Sequence, residues 1–272
     1  MIPTALALWL SLAAAAPASA GPTLAKEDTM HTELPEVLVQ APRVTLDEIL
    51  ERVARGEARR DSVITDQAFT ATFRIVRCAT RNKGQSLLEE IVARVYRKRP
   101  NHVRSVELRH WTDRSNKDRG VHVTFGPSMG EQIVNFAFRP DARRDYRYRI
   151  LGRDLLGDHL VYRIAFEPRS ALDPSQPSGL VWVDTNDFVI VRQEVSFARS
   201  PAPLFLKGID RMVVERQRVD GHWVLRRVLM RAETTLPLPT LGTGFDLSLQ
   251  LDQYAINRGI DDSLFRTKEI EP

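Results

Sequence analysis

The sequence predicts a mainly β protein: a strongly curved antiparallel sheet, an incomplete barrel, with one N-terminal helix covering its concave face. From Gln67 onward, apolar and polar residues alternate with a period of two, the pattern of half-buried strands. Short turn sequences separate about a dozen such runs, so neighbouring strands should pair antiparallel. Almost no helical pattern lies between the runs, which excludes an α/β fold. A sheet this long must curl to protect its edges.

The N-terminal segment, residues 1–20, has the layout of a secretory signal peptide. It carries no charged side chain, an apolar run covers Ala5 to Ala16, and Ala18-Ser19-Ala20 supplies small residues for cleavage. We therefore predict cleavage after Ala20 and export to the periplasm, and we also weigh association with the outer membrane. The alternative is an uncleaved anchor, but the Ala-rich run is short for a span of ~20 strongly apolar residues.

A leader and a helix precede the strands. Residues 21–44 are polar and punctuated by proline, which predicts an extended leader. Thr45-Leu46-Asp47-Glu48 has the capping-box pattern, and apolar residues then repeat at helical spacing as far as Val53. Gly56 predicts the end of this helix. We expect a single β domain over residues 45–266 and a tail over residues 267–272.

The strand runs follow in order. In the first run, Phe69 and Phe73 alternate with Thr70 and Thr72. Asp220-Gly221 predicts a type I′ hairpin, because both of its central positions need a positive φ. The later runs cover Glu90–Lys98, His102–His110, Gly120–Phe125, Gln132–Phe138, Asp145–Leu151, His159–Phe166, Gly179–Asp184, Phe188–Phe197, Ile209–Val219, His222–Thr235 and Phe245–Ile256.

Charge and cysteine content narrow the class of protein. The net charge is +4, and the basic residues are densest from Arg143 to Arg149. Carboxylates are interspersed, whereas a nucleic-acid binder concentrates basic and aromatic residues on one surface, so we expect no nucleic-acid partner. The cluster is either a solvated strand face or a patch for anionic lipid headgroups. The single cysteine, Cys78, cannot form an internal disulfide, so burial must stabilise the fold.

Catalytic and metal sites find little support. Gly126-Pro127-Ser128-Met129-Gly130 matches G-x-S-x-G, but a nucleophile elbow needs a following helix, and a short strand-like run ends at Pro140. A turn between strands explains Ser128 better, so a serine hydrolase is the least favoured alternative. No histidine pair has metal-ligand spacing, although His110, Asp113 and His122 would meet in one particular hairpin. We expect no enzyme, no metal and no cofactor.

The segment from Asp145 to Phe197 resembles the lipoprotein-sorting superfamily with the LolA/LolB-like fold. It contains a Y-x-I-x-F-x-P strand, a G-x-V-W-V-D strand and an I-x-R-x-E strand. The chain end, Gln253 to Phe265, is similar to the closing strand of envelope proteins in which such a β domain follows a carboxypeptidase-regulatory-like module. Leu34 to Arg43 resembles the last strand of that module and, loosely, a TonB box.

The resemblance implies an apolar concave face that holds acyl chains. We therefore expect a periplasmic, non-enzymatic protein that carries or senses an acyl chain, a lipid or a lipoprotein, with an outer-membrane protein as a further partner to test. The alternative is an envelope interaction module whose core is filled by its own side chains. The candidate lining residues are Phe69, Phe73, Phe125, Phe136, Phe138, Phe166, Trp182 and Phe188.

Overall fold

The computed structural model describes residues 44–78, 84–113, 136–170, 176–197, 206–238 and 242–266. All of them belong to one compact unit that begins at Val44. The elements are α1 (Leu46–Val63), β1 (Asp66–Arg77), β2 (Ser86–Lys98), β3 (His102–Thr112), β4 (Tyr146–Leu156), β5 (His159–Pro168), β6 (Pro177–Asp184), β7 (Ile190–Phe197), β8 (Leu206–Val219), β9 (His222–Leu238) and β10 (Gly242–Ile256), with 3-10 turns at Phe136–Phe138, Arg143–Asp145 and Asp262–Phe265.

The described strands form one antiparallel sheet that does not close into a barrel. The strand order is β3-β2-β1-β10-β9-β8-β7-β6-β5-β4. Strands β4 to β10 therefore follow one another as a meander, and β1 then pairs with the last strand, β10. The two free edges belong to β3 and β4. The predicted fold class, a curved antiparallel sheet with one N-terminal helix, is confirmed.

Helix α1 begins where the sequence predicts and ends later. The Thr45 hydroxyl accepts a hydrogen bond from the backbone N–H of Glu48, at 3.2 Å, which satisfies one of the unpaired amides of the first turn. The predicted end at Gly56 is wrong, because the helix continues to Val63. Gly56 is buried instead against a turn of the sheet, and a Cβ there would lie 2.5 Å from the carbonyl oxygen of Phe188.

The predicted strands recur with changed ends, and one prediction is wrong. Phe136–Phe138 forms a 3-10 turn rather than the end of a strand, and the run Gly120–Phe125 lies outside the described residues. The Asp220-Gly221 hairpin is confirmed by φ values of 48° and 80°, and it joins β8 to β9. Periodicity thus located the strands well, whereas the short segment before Pro140 carried too little alternation to define its structure.

The core lies on one face of the sheet. We call the concave layer the continuous cluster of buried apolar residues on α1, the Phe136–Phe138 turn and the inner face of the strands, each between 0% and 8% exposed. Its sheet members include Phe69, Phe73, Ile75, Val95, Ile164, Phe166, Val181, Val183, Val195, Val214, Val228, Leu249 and Leu251. Within the described residues, no helix combines the length and apolar character that crossing a membrane requires.

Candidate functional site

Four of the predicted lining residues lie in the concave layer. Phe69 and Phe73 are each 3% exposed, Phe138 is 1% exposed and Phe166 is 2% exposed. Phe136 and Phe188 are partly buried and pack against the layer. Phe125 lies outside the described residues. The structure thus brings most of this predicted set onto one surface, and their role in ligand binding stays a prediction.

An aromatic cluster closes the layer at the β4–β5 end of the sheet. The Phe138 ring lies 5.7 Å from the Phe166 ring, and Phe136 lies 5.9 Å from it, both edge to face. The Tyr148 hydroxyl donates to the carbonyl of Ala137, and burial raises the pKa of Tyr148 above its ordinary value. Edge-to-face pairs add stability beyond buried area, so this end of the layer is a rigid aromatic wall.

Trp182 must be removed from the predicted lining set. Its neighbours Val181 and Val183 belong to the concave layer, and adjacent side chains on a strand point to opposite faces. Trp182 therefore faces outward and packs against a separate cluster that contains Val161 and Trp223. The run Leu180-Val181-Trp182-Val183 is apolar throughout, so alternation gave no indication of which side faces inward.

A buried ion pair that the sequence did not reveal fixes the second half of α1. The carboxylate of Glu57 accepts from Arg216 Nη1 at 2.6 Å and from the backbone N–H of Ile190 at 2.8 Å. The same guanidinium donates to the carbonyl of Ile190 at 2.9 Å. The side chains of Glu57 and Arg216 are 5% and 2% exposed. The position of Glu57 could have indicated its burial, because it continues the buried stripe of Ile49 and Val53 at helical spacing.

A buried amide interrupts the apolar concave layer. Gln193 on β7 is fully buried, and it pairs in register with Val181 on β6 and Val214 on β8. Both of these valines belong to the concave layer. Neither the Oε1 nor the Nε2 atom of Gln193 has a hydrogen-bond partner. A buried amide without a partner among the described residues costs free energy.

A polar cleft of about 1300 Å³ opens beside the C-terminal end of α1. Its walls come from the end of α1, the start of β1, the connection from β2 to β3, Arg139 and Arg216. The basic side chains that line it are Arg60, Arg97, Lys98, Arg99, His102, Arg139 and Arg216, and the acidic ones are Asp61 and Asp66. These residues are far apart in sequence, which explains why no local motif predicted the cleft.

Catalytic and metal chemistry gain no support from the described residues. Ser128 and His122 lie outside them, so neither the nucleophile elbow nor the three-residue hairpin site is tested. His110 Nε2 lies 3.0 Å from Glu89 Oε1, and His159 Nδ1 lies 3.2 Å from the buried Asp184. Over the described ranges, no three His, Cys, Asp or Glu residues are grouped to hold a metal ion.

Comparison with known proteins gives similarity in fold. No protein-family model matches the chain, and no curated protein matches it in sequence. A DUF1329 family protein from Desulfovibrio piger is 13% identical, with 79% of this chain and 96% of that chain covered and a TM-score of 0.41. An outer membrane lipoprotein-sorting protein domain from Vibrio parahaemolyticus is 14% identical, covers 80% and 95%, and has a TM-score of 0.37.

A LolA superfamily protein from Nitrosomonas europaea is 15% identical, with 82% of this chain and 98% of that chain covered and a TM-score of 0.32. At these identities the likeness concerns the fold alone, and we draw no functional conclusion from it.

Proposed function

We propose that this chain is a non-enzymatic binding protein of the bacterial periplasm that holds the apolar part of a lipid or of a lipoprotein acyl chain against the concave layer. The observation that carries this proposal is the continuity of that layer across the sheet, from β2 through β1 and β10 to β4, under α1. Each methylene withdrawn from water contributes about 0.8 kcal/mol, so such a surface can bind a long chain with few polar contacts.

The attachment of α1 supports a route for the guest. Gly56, Glu57 and Arg59 fix the second half of the helix, since Arg59 Nη2 also donates to the carbonyl of Asp187 at 3.1 Å. The first half contributes Ile49, Leu50 and Val53 to the concave layer by apolar contact. An acyl chain that enters here would replace the apolar contacts between the first half of α1 and the sheet with apolar contacts of its own. It can therefore displace the first half of the helix, while the polar contacts of the second half stay in place.

The buried amide of Gln193 supports a bound molecule that carries a polar group as well as an apolar chain. Its amide is the hydrogen-bonding group that the ester carbonyl or carboxyl of a lipid would meet within the concave layer. Because both amide atoms are buried without a partner, a guest carbonyl that accepts from Nε2 would recover part of the desolvation cost.

The first experiment is native mass spectrometry of the purified protein before and after incubation with phosphatidylglycerol. We expect either an acyl ligand that co-purifies with the protein or stoichiometric uptake of phosphatidylglycerol, because the concave layer offers an apolar surface. A folded protein that stays empty at saturating lipid would overturn the proposal.

A matched pair of variants locates the binding surface. Ala71 on β1 is 4% exposed and belongs to the concave layer, whereas Ala165 on β5 is half-buried on the other face, between the inward Ile164 and Phe166. Ala71→Phe fills space that the guest would use, so lipid uptake should fall strongly, while Ala165→Phe should retain it. Equal uptake by the two folded variants would place the lipid elsewhere.

A second candidate function is favoured by one observation. The residues of the concave layer are at most 8% exposed, so the chain's own side chains fill it in this state. A permanently filled core is what the alternative, an envelope interaction module, would have. The same mass-spectrometry experiment separates the two functions, because an interaction module stays empty in the presence of lipid and remains folded.

A further inference from the structure

We propose that the cleft at the C-terminal end of α1 is a binding site for a phosphate group, and that it holds the polar end of the amphiphile whose apolar part lies on the concave layer. The location of the tail rests on the proposed function. The phosphate site itself rests on the charge and shape of the cleft, and it can be tested separately.

The inner wall of the cleft contains two buried guanidinium groups. The side chain of Arg216 is 2% exposed and that of Arg60 is 6% exposed. Both face one buried carboxylate, Glu57, at 2.6 Å and 3.6 Å. The second carboxylate beside Arg60 belongs to Asp61, at 3.0 Å, and its side chain is 50% exposed. Over the whole lining of the cleft, six arginine and lysine side chains face two aspartates, and the surrounding protein strengthens the attraction of this net positive charge for an anion.

The rim adds further cations, of which Lys98 also donates to the backbone carbonyl of Ile260 at 2.7 Å. Lys98 Nζ contacts Asp262 at 2.6 Å, and Arg139 contacts Asp141 at 3.3 Å, with both acidic side chains more than half exposed. Arg99 on the β2–β3 connection is exposed. Exposed ion pairs are worth little in water, so a ligand that reaches several of these cations at once can compete with their present partners.

The acidic residue on the inner side of the cleft is already engaged. The carboxylate of Asp66 accepts from the backbone N–H of Arg258 at 3.0 Å and from that of Gly259 at 3.2 Å. These hydrogen bonds spread its negative charge over the backbone of the chain end, so Asp66 opposes an incoming anion less than an unpaired carboxylate would.

The size of the cleft and the geometry of its arginine side chains favour a phosphate group as the ligand. Arginine presents paired N–H donors that match the oxygens of phosphate. A cleft of about 1300 Å³ exceeds what a lone carboxylate needs and accommodates a glycerophosphate headgroup. By contrast, Arg147 and Arg149 lie exposed along β4 and do not line this cleft.

The register of β1 and β2 connects the cleft to the concave layer. Gln67 pairs with Arg97 at the cleft, and Phe69 pairs with Val95 in the layer. Two residues along a strand return to the same face after about 7 Å, so a headgroup at Arg97 lies one step from the apolar surface at Phe69. A diacyl lipid with its tail on the layer would therefore place its phosphate in the cleft.

The test compares two double variants that each remove two exposed positive charges. Arg99→Ser with Arg139→Ser alters the cleft, and Arg147→Ser with Arg149→Ser alters β4. Each protein is titrated with glycerol 3-phosphate by calorimetry and with vesicles of phosphatidylglycerol or of phosphatidylcholine by co-sedimentation. We expect the wild type to bind the phosphate probe, the cleft variant to bind at least tenfold more weakly, and the β4 variant to stay within twofold of the wild type.

The two arms distinguish the source of the phosphate. If the cleft variant binds phosphatidylglycerol vesicles more weakly than the wild type, the site holds a lipid headgroup. If only the binding of glycerol 3-phosphate is weakened, the site holds a soluble phosphate. The inference is overturned if the wild type binds neither probe, if both double variants weaken binding equally, or if the cleft variant binds glycerol 3-phosphate and both kinds of vesicle as well as the wild type does. Acyl uptake is measured separately by mass spectrometry. A protein that takes up no lipid but still binds glycerol 3-phosphate would contradict the proposed lipid-binding function and support the phosphate site.

Discussion

The two faces of this sheet are held together by different forces. The concave face joins α1 through buried apolar side chains, with the Glu57–Arg216 pair as its main ionic contact in the described residues. The outer face carries ladders in which a carboxylate contacts one or two arginines, at least one of them on a neighbouring strand. Glu90 contacts Arg74 and Arg109, and the other ladders place Glu194 between Arg192 and Arg211, Glu215 between Arg192 and Arg227, and Asp246 beside Arg231.

This difference shows where stability and where strand register originate. Burial of apolar area is the larger favourable contribution to folding, so the concave face should dominate the free energy of unfolding. Cross-strand ion pairs contribute less each, yet they favour one alignment of neighbouring strands. The arginines of the outer face thus have a structural use.

The largest expected effect is the loss of the buried cation. Arg216→Met should lower the free energy of unfolding by about 3–5 kcal/mol, because it leaves Glu57 buried with less compensation. Urea unfolding measures this effect. Arg218→Met in the same strand is the matched control, since its side chain is 49% exposed, and it should cost less than about 1 kcal/mol. Equal losses would mean that the burial of Arg216 does not set its contribution to stability.

The next effect compares apolar residues on the two faces. Ile164 is 0% exposed in the concave layer, and Ile164→Ala should cost about 2–4 kcal/mol through the cavity that it creates. Leu229 on the outer face is 37% exposed, and Leu229→Ala should cost about 1 kcal/mol or less. Thermal and urea unfolding of both variants check the comparison, which fails if Leu229→Ala is the more damaging change.

A smaller effect tests how closely α1 approaches the sheet. Alanine normally favours a helix over glycine by about 1 kcal/mol, but a Cβ at position 56 would lie 2.5 Å from Phe188 O and 2.6 Å from Asp187 O. Gly56→Ala should therefore destabilise the protein by about 1–3 kcal/mol. Glu51→Ala, at an exposed position of the same helix, should leave the urea midpoint nearly unchanged. A stabilised Gly56→Ala variant would contradict the close contact.

The smallest expected effect is the pH dependence of the outer ladders. Burial raises the pKa of the Glu194 and Glu215 carboxyls, but the arginine hydrogen bonds and charges together lower each pKa below its ordinary value. A lowered folded pKa means that the contribution is present above the unfolded value of about 4.3 and is lost as the pH falls through the folded values. Glu215→Gln should remove part of this loss, by about 1 kcal/mol at most.

Unfolding free energies of wild type and Glu215→Gln, measured from about pH 7 down to about pH 3, check this prediction. We expect the two curves to converge at the acid end. Parallel curves over the whole range would show that Glu215 does not contribute to the acid dependence.

Local patterns in the sequence were sufficient for the sheet and for the burial of four phenylalanines in the concave layer, Phe69, Phe73, Phe138 and Phe166. Period-two alternation predicted the strands, and Asp220-Gly221 predicted its hairpin, because both signals depend on neighbouring residues. The same signals failed at Trp182, where a wholly apolar run carries no alternation, and at Gly56, where the buried contact comes from the distant turn before β7. The cleft was missed for the same reason, since Arg60, Arg99 and Arg216 meet only in the folded chain.

The pairing of β1 with β10 has a consequence for how the chain must fold. The side chain of Asn257, just after β10, accepts from the backbone N–H of Thr65, just before β1, across 192 positions. Strands β4 to β10 can align in succession as they are made, whereas β1, which pairs with β2 on one side, lacks its other neighbour until β10 has been made. Such distant contacts slow folding, and a chain truncated before Gly242 would expose two new sheet edges that invite aggregation.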